Sequence, residues 1–98
     1  MATPTADATD QANLADLVRR HGALDHLAVR RHGASLVLYT RIEDVNINRA
    51  RLTAVSRTRW RLDMPARTGW QPTPYVGSLI AIFQVITGEL APLMGPLE

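Results

Sequence analysis

Three histidines, nine clustered arginines and a scatter of hydroxyls are the side chains of this 98-residue chain whose types suit chemistry. His21, His26 and His32 lie five and six residues apart, with Asp25 close by. Two metal ligands on one helical face need a spacing of about three or four residues, and Gly22 puts His21 and His26 on different elements, so no metal site is expected. Ser35, Ser56 and Ser78 are the serines available as nucleophiles, but none sits in a G-x-S-x-G elbow or has a base placed by spacing. Glu43 and Asp44 fall together in a turn, where carboxylates are ordinarily just solvated. There is no Walker loop and no G-x-G-x-x-G run. Cysteine is absent, which removes thiolate catalysis, thiolate metal sites and disulfides. The expectation is a non-enzymatic protein with no catalytic residues and no cofactor.

The arginines are the stronger signal. Between His26 and Gln71 the chain holds nine of its eleven basic residues, all arginine. The net charge is −2 over residues 1–25, +6 over 26–72 and −2 over 73–98. In the central stretch apolar residues alternate with polar ones, the two-residue period of strands with one oily and one wet face. By that alternation Arg49, Arg51, Arg59 and Arg61 point away from the core, and Tyr39 and Arg41 share their parity. Guanidinium groups around an aromatic ring on an open sheet can hold phosphates and stack bases. An antiparallel sheet with one wet face also places charge there simply for solvation, with arginine stems covering apolar surface.

The elements that position these residues follow from periodicity. Residues 1–9 are small, polar and turn-forming, and a disordered tail is expected. Asp10 is expected to cap a helix over 11–21 whose Leu14, Leu17 and Val18 form one apolar stripe, with Arg19, Arg20 and His21 in its last turn and Gly22 as a left-handed stop. The two-residue period predicts strands over 26–31, 35–42, 47–55 and 59–64. His32-Gly33 makes the first turn, residues 43–46 break the pattern, and Ser56-Arg57-Thr58 makes another turn. Trp70-Gln71 can add a short edge strand before Pro72 and Pro74 end pairing. For the strands at 47–55 and 59–64, charge selects the register. Arg51 opposite Asp63 sets Leu52 beside Leu62, Ala54 beside Trp60 and Ala50 beside Met64, whereas the neighbouring register sets Arg51 against Arg61. Trp60 then faces the core, and Trp70 either covers one end of it, the more common arrangement, or joins the neighbouring prolines in an edge that can hold a partner peptide.

A second helix is expected from the Ser78 N-cap to about Leu90. Its apolar arc is wider than one core contact requires, which makes Leu79, Ile82, Phe83 and Ile86 core or interface residues. Residues 91–98 form an apolar tail containing Pro and Gly that is expected to be non-helical and to lie along a surface groove.

These elements make one α+β domain over residues 10–90, a two-layer sandwich in which an antiparallel meander of four strands (three to five) lies between two helices, α-β-β-β-β-α. The order helix, strands, helix resembles that of double-stranded-RNA-binding domains. Those domains rely on a lysine-rich start to the second helix, which here reads Tyr75-Val76-Gly77-Ser78-Leu79 without a cation, so the likeness stops at topology. No apolar run reaches the roughly 18 residues that cross a bilayer, and the start lacks the order of a signal peptide, so a cytoplasmic location off the membrane is expected. The function expected is macromolecule binding, through a homo-oligomer (dimer) or another protein partner at the second helix. Nucleic acid at the arginine face is the alternative.

Overall fold

Asp7 starts the first helix. In the computed structural model, which describes residues 5–24 and 26–95, its carboxylate accepts from the Asp10 backbone N–H at 2.8 Å, and the Asp10 carboxylate accepts from the Asp7 N–H at 3.1 Å. Asp10 is thus the third residue of a reciprocal capping box and not the cap itself, and α1 runs Ala8–Arg20. Residues 1–4 of the expected tail lie outside the described residues, while Ala6 is buried against the core. Leu14 and Val18 are the buried stripe of α1, and Leu17 packs at its margin. At the far end the His21 N–H bonds the Leu17 and Val18 carbonyls. Gly22 does not take the left-handed stop; it opens a 3₁₀ turn over Gly22–Leu24.

Five strands follow in an antiparallel meander, neighbours in chain order throughout: β1 Ala28–His32, β2 Ser35–Ile42, β3 Val45–Ala54, β4 Trp60–Ala66 and β5 Gly69–Gly77. The β3–β4 register is the one selected by charge, with Arg51 opposite Asp63, Leu52 opposite Leu62 and Ala54 opposite Trp60. Pairing ends at Arg51, so Ala50 and Met64 do not form a ladder pair. A bulge on β3 lies at this point. Leu38 pairs with Ala50 but Tyr39 pairs with Asn48, which leaves Arg49 as an extra residue. Residues 45 and 46 pair with Ile42 and Arg41, so the turn is only Glu43-Asp44, both at positive φ as a tight two-residue hairpin demands.

Pro72 and Pro74 do not end pairing. β5 continues to Gly77 because it is an edge strand, where a missing N–H costs no ladder bond on the open side. Its register slips opposite Leu62, and the Thr73 hydroxyl donates to the Leu62 carbonyl at 2.8 Å across the slip. The other edge, β1, is partly occupied. The Gln11 side-chain amide donates to the Val29 carbonyl at 3.0 Å, and the Ala6 N–H to the Gly33 carbonyl at 3.4 Å.

Ser78 caps α2, which spans Leu79–Thr87, by accepting from the Ala81 N–H at 3.1 Å. Both helices lie on one face of the sheet. Leu36, Leu38, Leu52, Trp60 and Leu62 from the strands meet Leu14, Val18, Ile82, Phe83 and Ile86 from the helices in a single core. Full burial of each large aliphatic side chain contributes roughly 1.5–3 kcal/mol. The chain then makes a 3₁₀ turn over Ala91–Leu93, where a surface-lying non-helical tail was expected, and Met94 is wholly buried. Pro92 fits there because the first turn of such a helix leaves N–H groups unpaired. Residues 96–98 of the expected tail lie outside the described residues.

Candidate nucleic-acid interface

With both helices on one side, the opposite face of the sheet is open, and its side chains form rows across the strands. One row runs Arg30, Val37, Arg51, Asp63 and Pro72; the next runs His32, Ser35, Thr53, Arg61 and Val76. The rows sit two residues apart on β1 to β4, and four apart on β5 across its register slip, so they share one face. Val37 is buried yet lies outside the core cluster, between Arg30 and Arg51.

Asp63 is the centre of this face. Its side chain is 0% exposed, and it is surrounded by donors. Arg51 Nε donates to Oδ2 at 2.9 Å, the Thr53 hydroxyl to Oδ2 at 2.6 Å, and Arg61 Nε to Oδ1 at 2.7 Å. Ser35 and Thr53 hydroxyls bond each other at 3.1 Å and extend the network to β2. Burial pushes the Asp63 pKa up, but the bonds from Arg61, Thr53 and Arg51 outweigh it and hold the carboxyl below its ordinary value. The same bond to Asp63 raises the Arg61 pKa against the opposing effect of burial. Both guanidiniums are fastened mainly by Nε. Neither Nη of Arg51, nor Nη1 of Arg61, has a hydrogen-bond partner among the described residues, and both side chains remain partly open to solvent, at 24% and 32%.

Two aromatic rings complete the face. The Arg51 guanidinium carbon lies 4.8 Å from the centroid of the Trp70 ring, and that of Arg30 lies 5.9 Å from the centroid of Tyr39. Trp70, opposite Pro65 on β5, is therefore on the outer face and half-buried under Arg51, and not at the end of the core. Arg30 also donates to the Asn48 side chain at 3.1 Å.

Of the residues expected on this face, Arg51, Arg61 and Tyr39 are brought together. Arg41 shares the face but is exposed near the hairpin tip and paired with Asp44 at 3.3 Å. Arg59 is exposed one residue before β4, its carbonyl accepting from Val55 and Ser56 in the turn. Arg49 is not on the face. The bulge turns it inward, where it is 8% exposed and donates to the Thr40 hydroxyl at 3.0 Å and to the Leu93 and Gly95 carbonyls at 2.7 Å each. Burial lowers its pKa. Arg49 therefore anchors the chain after α2. Arg30 and Trp70 were missed by sequence reasoning. Arg30 alternates correctly on the first predicted strand and was open to discovery, whereas Trp70 depended on β5 pairing past its prolines.

The α2 residues proposed as core or interface divide in the same way. Ile82, Phe83 and Ile86 are buried within the chain, Leu79 is half-buried, and Ile80 is 58% exposed. The histidines sit on separate elements. His21 meets Phe83 edge-on with centroids 6.2 Å apart, the His26 Nε2–H bonds the Met94 carbonyl at 2.7 Å, and His32 closes the β1–β2 hairpin. Asp25 lies outside the described residues. Among those described, no three His, Asp or Glu side chains gather as a metal site, and no helix is long and apolar enough to cross a membrane. Comparison of the chain with family models, with curated proteins and with solved structures finds no match.

Proposed function

We propose that the protein is a non-enzymatic binding module that engages nucleic acid through the open face of its sheet. The observation that carries this reading is the Asp63-braced pair, Arg51 and Arg61. A buried carboxylate consumes one face of each guanidinium and fixes its position, so the outward Nη donors meet a phosphate with little ordering left to do. Exposed Arg59 and the adjoining Arg30 extend the positive field. Binding of a labelled oligonucleotide, followed by anisotropy, is expected to weaken as salt rises. With three to four arginines engaged, log Kd changes by about 2 to 3 per decade of salt. Arg59→Glu, outside the Asp63 network, lowers affinity and reduces the salt slope. No binding at low salt overturns the proposal.

Self-association through α2 is the second reading, and it rests on Ile80. This exposed side chain borders a groove of about 350 Å³ between α1 and α2, lined by Asn13, Asp16, Leu17, Ser78, Leu79 and Ile80. If the groove is shared between copies, the mass in solution is that of a dimer and Ile80→Glu returns it to a monomer without loss of fold. A monomeric native chain removes this reading.

A further inference from the structure

We infer that the nucleic acid taken by this face is single-stranded, with an unpaired base stacked at the Arg51–Trp70 pair and its neighbouring phosphate on the outward Nη groups of Arg51 and Arg61. The inference rests on the nucleic-acid reading and adds the form of the ligand.

Shape is the first argument. The outer face is five strands wide, and both helices pack on the other side. The grooves of an undistorted duplex admit a helix or a two-stranded ribbon, and a broad sheet enters one only where the duplex is kinked and opened. Against a straight duplex such a surface meets mainly the outer phosphates, whereas a single strand can lie along it with its bases turned down onto the protein.

Aromatic chemistry is the second. Arg51 is held in its plane by the Nε bond to Asp63 at 2.9 Å and lies over the Trp70 ring at 4.8 Å, so a planar cation and an indole are fixed together on the surface. Every base has a π-face to offer such a pair, which makes stacking tolerant of sequence. Arg30 and Tyr39 form a second guanidinium–ring pair on the same face. Arg30 and Arg51 lie in the same cross-strand row with Val37 between them, about 10 Å apart by strand spacing. A phosphate alone needs no aromatic ring beneath its arginine; a strand carrying bases uses both.

The test measures affinity of the whole chain for a single-stranded oligonucleotide, the matching duplex, heparin and polyglutamate at one ionic strength, with Trp70→Leu, Trp70→Phe and Arg51→Lys variants whose fold is checked by circular dichroism. The single strand is expected to bind more tightly than the other three. Trp70→Leu weakens single-strand binding by at least about fivefold, Trp70→Phe restores much of it, and heparin binding is unchanged. Arg51→Lys, which keeps the charge but not the plane, also weakens the single strand selectively. Equal binding of single strand, duplex and heparin overturns the stacking inference while leaving the nucleic-acid face standing. Preference for polyglutamate points to an acidic protein and overturns it as well, and no binding of any polyanion at low salt sinks both readings.

Discussion

Phe83→Asp is expected to abolish the folded state. The ring is buried in the core, edge-on to His21 at the end of α1, and so joins the two helices to each other. Truncating a buried phenylalanine costs about 3–5 kcal/mol, and an unpaired carboxylate in the same place adds desolvation to the lost packing. Against a total stability of about 5–15 kcal/mol for a small domain, the sum leaves little or nothing. Circular dichroism in a urea series checks this. The wild type should unfold in one cooperative step and the variant should lack the step under native conditions. A folded Phe83→Asp chain with near-native stability would mean that α2 does not close the core as described. Since Ile82 and Ile86 share the same buried face, the effect is loss of fold and not mere loss of an oligomer.

Asp63→Asn is expected to destabilise the protein by about 2–3 kcal/mol, because two guanidiniums and a hydroxyl lose a charged acceptor at a fully buried position. The amide keeps the shape, so the loss is electrostatic and not a cavity. The arginines are partly exposed and can turn to water, which keeps the cost below that of breaking a fully buried pair. The pH dependence separates this from a packing effect. Burial alone would raise the Asp63 pKa, but its hydrogen bonds hold it below the ordinary value. The stability it contributes is therefore complete above the unfolded-state pKa and is lost as pH falls through the lower folded one. The gap between wild type and variant should be constant near neutrality and narrow in strong acid. A gap independent of pH down to acid unfolding would show that folding does not lower the Asp63 pKa.

Much of this arrangement was legible in the residues. The β3–β4 register followed from two constraints that agree, Leu52 and Leu62 inward and Arg51 beside Asp63 outward, and a one-residue slip violates both. The bounds of β2 came from a clean period change, and the same signal located both helices, although α1 begins at Ala8 and not at 11, and α2 ends at Thr87 and not near Leu90. What failed did so for local reasons. Asp7 and Asp10 are both acceptable caps, and the reciprocal bonds that choose between them depend on Asp10 serving as third residue. Alternation put Arg49 outward because parity arguments assume unbroken pairing, and a single extra residue reverses the side chain. The length of β5 was hidden because prolines forbid a central strand and permit an edge one, and the position of β5 in the sheet is a tertiary fact. Trp70 was misplaced with it. The composition of the outer face could be read; the Asp63 bracing was visible only as one ion pair out of two.

The margins of the sheet bear on how any partner can attach. At one side Pro72 and Pro74 deprive β5 of two donors; at the other, Gln11 and the backbone at Ala6 already engage carbonyls at Val29 and Gly33. A sheet so bordered resists lengthening by added strands, and with it the runaway stacking that leads to fibrils. Recognition here falls to side chains, so its specificity is open to point substitution without disturbing the ladder beneath.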